Sequence, residues 1–204
     1  APTFTVALGS TVAAGDSVQL LLGGSALAHP VTHTVTAADI TAGSVSLTVT
    51  AGDLGADGTK QISAQLGDAF GNSSTTAALT ITLDTTAPTG STPVLTAASD
   101  SGTSHSDGIT DVTAPSFTVA LGSTVAAGDS VQLLLGGVTL AHPVTHTITA
   151  ADITAGSVSL TVTAGDLGAD GTKSITAQFS DVAGNTSTTS ALSFTLDTTA
   201  PVVA

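Results

Sequence analysis

Fifteen acidic residues, all of them Asp, stand against two Lys and no Arg or Cys in a chain of 204 residues. A short carboxylate held in a Gly-rich turn can reach an ion that neighbouring backbone carbonyls also touch. That is the all-oxygen environment of Ca2+, which takes about six to eight such ligands. The densest group is SDSGTSHSDGITD at 99–111, where Asp100, Asp107 and Asp111 offer three carboxylates within twelve residues, and Gly102 and Ser104 are free to turn carbonyls inward. The spacing is not that of an EF-hand, which alternates acidic oxygens and ends on a Glu. The competing reading is a solvated hairpin whose Asp side chains bond their own backbone in Asx turns.

The histidines invite a metal test of their own. His29 and His33, repeated at His142 and His146, have the i, i+4 spacing that serves a helical zinc site. Pro30, Pro143 and the Val and Thr neighbours make this an extended segment instead. Four residues of strand span about 13 Å, too far for one ion. An exposed, structural role is expected, and His105 reads as a solvated turn residue. Catalysis has little to work with: there is no Cys nucleophile and no Gly-x-Ser-x-Gly elbow. Paired carboxylates alone do not make a glycosidase, which needs a cleft, one carboxyl group of raised pKa and usually aromatic sugar platforms. With five Phe and neither Trp nor Tyr, no enzyme is expected.

A net charge of -13 argues against nucleic acid and anionic membrane surfaces, since phosphate binding needs cationic side chains to displace counterions. Mean hydropathy is +0.46, yet no window approaches the roughly 18 consecutive apolar residues of a spanning helix. No membrane insertion is expected, and the chain reads as soluble. No basic stretch followed by an apolar one opens the sequence, so any export signal lies elsewhere or was removed.

The elements that must position these residues follow from a period-two pattern. In the segment 44–50, Val45, Leu47 and Val49 point one way while Ser46 and Thr48 point the other, the alternation of a strand with one buried face. Comparable runs lie at 4–8, 17–22, 31–36, 61–66 and 77–83, separated by Gly, Asp, Asn and Ser clusters suited to turns. Nothing reads as a helix longer than a turn. Six or seven short strands per unit predict an all-β fold, a sandwich of immunoglobulin-like type with a core of small aliphatics.

The pattern occurs twice. FTVALGSTVAAGDSVQLLLGG at Phe4–Gly24 recurs unchanged at Phe117–Gly137, and 70 of 84 aligned positions are identical at an offset of 113 residues. A period that long is a whole domain, so the chain reads as part of a tandem array. The segment 85–113 has no counterpart before Ala1. Its apolar stretch 93–97 is read as the first strand of the second domain, leaving the first domain without its own or borrowing one from a neighbour. The expected organisation is a sandwich at 1–84, a linker at 85–92, a second sandwich at 93–197 and the start of a further linker at 198–204. The motif DTTAP, at Asp84–Pro88 and Asp197–Pro201, supplies the short extended linker.

These DTTAP linkers, the Asp-x-x-Gly-Asn turns at 68–72 and 181–185, and the DSGTSHSDGITD segment together resemble the tandem immunoglobulin-like extender repeats of giant bacterial RTX-type adhesins, which are exported by type I secretion. The similarity covers essentially the whole chain. It implies Ca2+-dependent rigid rods that hold an adhesive tip away from the cell surface, with the extracellular bacterial surface as location, biofilm as setting and adjacent identical repeats as partners. It also implies unfolded export under a C-terminal signal. Neither a GGxGxDxxx array nor an adhesive tip is present, so the resemblance extends to the stalk alone.

A second Ca2+ site is expected from topology. In such a sandwich Asp53, Asp57 and the exit at Asp84 fall at the distal end of the first domain, and the turn carrying Asp181 and Asn185 falls at the proximal end of the second. Carboxylates crowded there would repel, by about 4 kcal/mol at 4 Å and an effective dielectric near 20, unless a cation intervened. Asp84 and Asp181 are the foremost ligands of that site. The alternative is that the shared Asp residues persist only because the repeats are so alike. The sequence is thus read as a monomeric structural extender stiffened by Ca2+. A module that binds a glycan, host protein or ice through Thr-x-Thr faces is the alternative, although Tyr, Trp and Arg anchors are absent. Self-association through strand edges is the third reading.

Overall fold

β-Branched and aliphatic side chains alternating with Ser and Thr form the strands, because such residues fit a pleated surface buried on one side. The computed structural model describes residues 1–202 and divides the chain into two units, the first Ala1–Asp84 and the second from Thr85 onward. Each unit is a β-sandwich.

In the first unit the elements are β1 (Thr3–Ala7), β2 (Ser17–Leu22), β3 (Ser25–Ala26), β4 (Thr32–Thr34), α1 (Ala37–Ala42), β5 (Ser44–Thr48), β6 (Gly58–Gly67), β7 (Ser73–Thr75) and β8 (Leu79–Leu83). One sheet is only the antiparallel pair of β1 and β5, in the register Phe4↔Leu47. The other runs β3-β2-β6-β7, with β4 also pairing β2 and β8 also pairing β6. Val18, Leu20, Val35, Val45, Leu47 and Ile62 are among the buried residues between the sheets.

The second unit holds β9 (Val94–Leu95), β10 (Ile109–Thr110), β11 (Ser116–Ala120), β12 (Ser130–Leu135), β13 (Val138–Thr139), β14 (Thr145–Thr147), α2 (Ala150–Ala155), β15 (Ser157–Thr161), β16 (Gly171–Ser180), β17 (Thr186–Thr188) and β18 (Leu192–Leu196). It repeats the first arrangement with two additions. Strand β9 extends the smaller sheet by pairing antiparallel with β11, at Phe117↔Leu95 and Thr118↔Val94, giving the order β15-β11-β9. Strand β10 extends the larger sheet by pairing parallel with β18. Residues 85–92, read above as the linker, are part of this unit, and Ser91 N donates to Ala120 O at 2.9 Å. At the far end, 203 and 204 lie outside the described residues.

The core of the second unit is the better filled. Phe117, Val119, Val131, Leu133, Ile175 and Phe179 are completely buried, and the rings of Phe117 and Phe194 meet at 5.4 Å with a 59° tilt. Burying a side chain of this size contributes about 1.5–3 kcal/mol.

One expectation is corrected. The sequence was expected to hold no helix longer than a turn, but each unit has one of six residues, α1 and α2. A capping box forms them: the Thr36 side chain accepts from Asp39 N while the Asp39 side chain accepts from Thr36 N. Gly43 closes α1 in the left-handed conformation, at φ 71°. No residue of either helix is buried, so no apolar periodicity betrays them, whereas Thr-x-x-Asp before a Gly does.

Candidate acidic sites

The loop between β9 and β10 is anchored from beneath. Ser99 N and Asp100 N both donate to Thr96 O, at 2.8 and 2.9 Å. Ser99, Asp100 and Thr110 are buried, with 6%, 4% and 1% of their surfaces exposed. The Thr110 hydroxyl donates to Ser99 O at 2.6 Å, and Ser99 Oγ accepts from Ser116 N at 2.9 Å, tying the loop to β11. Asp100 is thereby driven inward. Its Oδ2 accepts from Gly108 N at 3.2 Å, but its Oδ1 is enclosed without a partner. Leaving a buried carboxylate oxygen unpaired is costly, and a bound cation or water relieves it. Asp100 Oδ1 is thus an oxygen open to a cation such as Ca2+.

The rest of the loop is less committed to an ion. Asp107 Oδ1 accepts from Ile109 N at 3.1 Å, which is the Asx turn of the competing reading. Asp111 is exposed, and its backbone N donates to Ser101 Oγ at 2.8 Å. Gly102 has φ 92°, a left-handed bend that favours glycine. Ser104 Oγ accepts from Ser106 N at 3.3 Å. His105 Nδ1 donates to Asp100 O at 2.7 Å. Among the described residues no three His or Asp side chains gather into a ready-made metal cage.

The other candidates lie at the ends of the sandwiches. Gly58↔Leu83 pairing between β6 and β8 puts Asp57 and Asp84 at one end of the first unit, and both are exposed. Asp53, in the same β5–β6 connection, grips His29: Oδ1 lies 2.8 Å from Nδ1 and Oδ2 accepts from His29 N at 3.1 Å. Only 4% of the Asp53 side chain is exposed. The second unit repeats this clamp between Asp166 and His142, at 2.8 and 3.0 Å. Asp181 accepts from Asn185 N at 2.8 Å on Oδ1 and from Asn185 Nδ2 at 2.7 Å on Oδ2. It closes the β16–β17 turn as Asp68 and Asn72 close the β6–β7 turn.

The i, i+4 histidines thus go to different carboxylates. His33 Nε2 lies 2.9 Å from Asp39 Oδ2, and His146 repeats this with Asp152. These His–Asp pairs were not foreseen from the sequence; only the Thr36-x-x-Asp39 box could have flagged Asp39. The Thr36 hydroxyl and then the His33 ring push the Asp39 pKa down from 3.8 to about 2. At Asp152 the His146 ring comes first and Thr149 second, again reaching about 2. A depressed folded-state pKa contributes stability above the ordinary carboxylate value and loses it as pH falls through the folded one. Both units should therefore lose stability between about pH 4 and pH 2. Melting temperatures of the chain and of an Asp39→Asn/Asp152→Asn variant measured across that window check this, and equal slopes would contradict it.

Several comparisons bear on identity. The bacterial Ig-like domain family matches residues 86–198. No curated protein matches the chain. Among solved structures, the chain is 28% identical to a Ca2+-stabilized adhesin that helps an Antarctic bacterium reach out and bind ice, covering 95% of this chain and 43% of that one at a TM-score of 0.45. It is 27% identical to a 1.5-MDa bacterial ice-binding adhesin, covering 95% and 56% at a TM-score of 0.42. A tetra-tandem repeat from the extending region of a large adhesion protein is 22% identical, covering 92% and 43% at a TM-score of 0.38. The chain spans about half the length of these structures.

Proposed function

The chain belongs to the bacterial Ig-like domain family, and from that premise we propose that it is a pair of extender repeats from the stalk of a bacterial cell-surface adhesin. The observation that carries this reading is the duplication itself: 70 of 84 positions repeat, including the strand pattern, the helix caps and the His–Asp clamps. A stalk needs many copies of one self-sufficient module and no reaction centre, whereas a catalytic site gains nothing from so close a copy. Repetition of sequence in series sets length.

Calcium is the second part of the proposal. Asp100 would hold an ion in the loop, and Asp84 and Asp181 are the further carboxylates proposed as Ca2+ ligands. When bound, Ca2+ supplies the positive charge that lets buried or crowded carboxylates stay ionised. The outward hydroxyls already pair across strands, as Thr3 with Thr48 at 2.8 Å and Ser116 with Thr161 at 2.7 Å, which leaves them less available to an external ligand.

The experiment is small-angle X-ray scattering and calorimetry of this chain in millimolar Ca2+ and again in excess EGTA. Ca2+ is expected to lengthen the particle and raise the melting of the second unit, by about 2.7 kcal/mol at an ion concentration a hundred times Kd. Asp100→Ala should reduce the Ca2+-dependent increment in melting, whatever it does to stability in EGTA. A chain that responds to Ca2+ in neither shape nor melting would sink the calcium part and leave the fold assignment standing.

A further inference from the structure

Three Asp-Gly pairs occur in the chain, at 57–58, 107–108 and 170–171. Such a pair can rearrange without any other reagent than water: the glycine nitrogen, with no Cβ beside it, attacks the preceding side-chain carboxyl and closes a five-membered ring. Whether it does so depends on how the fold holds the two groups. Gly58 and Gly171 open β6 and β16, in register with Leu83 and Leu196, so both are fixed in a sheet ladder. The Asp170 carboxyl is engaged as well, since its Oδ1 and Oδ2 accept from the Thr198 and Thr199 hydroxyls at 2.8 and 2.7 Å.

The third pair is held differently. Asp107 is exposed in the loop between β9 and β10, and its Oδ1 accepts from Ile109 N at 3.1 Å. That bond folds the carboxyl back over the 107–108 peptide, whose nitrogen must attack it, and polarises the carboxyl as an oxyanion-hole donor does. Gly108 N in turn donates to Asp100 Oδ2 at 3.2 Å, the outer reach of a general base. Asp100 is 4% exposed and its other oxygen has no partner, so it has lone pairs to accept a proton. Gly108 has φ 72°, which disfavours any other residue there. Nucleophile, electrophile and base are thus assembled within residues 100–109.

We propose that the Asp107-Gly108 pair is a self-modification site, at which the folded protein converts Asp107 to isoaspartate with Asp100 as the base. A bond forms between Gly108 N and Asp107 Cγ, and the Gly108 N–H proton passes to Asp100 Oδ2. The Asp107 carboxyl loses one oxygen as water, made with one proton from solvent and the one that Asp100 returns. A second water then opens the ring. Attack at the Asp107 main-chain carbonyl breaks its bond to Gly108 N and leaves the chain running through Cβ and Cγ, whereas attack at Cγ restores Asp. Mass and charge are unchanged, and nothing is oxidised or reduced. The product has one more main-chain carbon just ahead of β10. It therefore displaces the groups that hold β10 to β18, where Thr195 N donates to Gly108 O at 2.8 Å and Asp197 N to Thr110 O at 2.9 Å. This inference rests on neither calcium nor the adhesin reading.

The test stores the whole 204-residue chain warm at neutral pH in EGTA, so that a failure of the calcium proposal leaves it untouched. Methyl transfer by an isoaspartyl methyltransferase counts the product, and peptide mapping assigns it to position 57, 107 or 170. In the folded chain, position 107 is expected to lead the other two by about tenfold or more, from positioning and general-base catalysis together. In urea, where only the local Asp-Gly chemistry remains, the three positions should converge. Asp100→Asn keeps the side chain's shape but removes the base, and should slow the reaction at 107 about tenfold, read on protein whose second unit still melts cooperatively. The isoaspartyl form, separated by chromatography, should lose hydrogen-exchange protection at Thr195 and Asp197. A folded chain with no excess at 107, or an excess that persists in urea, overturns the proposal. So does a folded Asp100→Asn chain that reacts as fast as its parent.

Discussion

Replacing Phe117 with Ala is expected to cost the second unit about 3–5 kcal/mol, the usual range for emptying an aromatic site in a core that cannot collapse around the loss. Phe117 is fully buried, stacks obliquely on Phe194 and is bracketed in its sheet by β15 on one side and β9 on the other. The same substitution at Phe4 is expected to cost the first unit less than half as much. Phe4 occupies the same register opposite Leu47 as Phe117 does opposite Leu160. Ile81 stands where Phe194 does, by the repeat offset, and β1 pairs with β5 alone among the described residues. Calorimetric melting, or urea titration followed by hydrogen exchange on each unit, separates the two costs. Equal losses would mean that the first unit's open edge is closed in solution and that its core is as well filled as its neighbour's.

Gly122→Ala is expected to cost the second unit about 1–3 kcal/mol. A Cβ there would lie 2.3 Å from Thr89 Oγ1, 2.7 Å from Thr89 O and 3.0 Å from Thr89 C. Two of those atoms belong to the backbone, so rotating a side chain does not relieve the collision, and the segment that carries β9 must move off β11. The matched Gly9→Ala meets open space and should be neutral or slightly stabilising, because Ala restricts the unfolded chain more than Gly does. Differential melting of the two variants checks this. A Gly122→Ala protein as stable as its parent would show that residues 89–92 are not held against β11 in solution.

The two substitutions also mark where sequence reading stops. Strands β2 and β12 were legible to the residue, because Val18 and Leu20 alternate with Ser17 and Gln19 before a run of Leu that Gly23 ends. The acidic stretch 99–111 was legible as a candidate site from its carboxylate density alone. Within it, however, only Asp100 is buried with an unpaired oxygen, while Asp107 bonds its own turn. Nothing in the local sequence separates these two residues. The difference arises because Thr96 O, just before the loop, and Ser116 N, on β11, bind Ser99 and Asp100 N and so hold this end of the loop down. Asp53 was likewise chosen for its carboxylate, and its engagement with His29 depends on a contact across 24 residues.

By itself, the sequence determined the period-two strands, the all-β class, the duplication and the acidic character of the turns, since all of these are set by near neighbours or by direct comparison of one stretch with another. Only the tertiary structure decided which carboxylates are buried and which histidines they hold. Those outcomes depend on segments distant in the chain meeting in the fold, as Ser99 meets Ser116 and His29 meets Asp53.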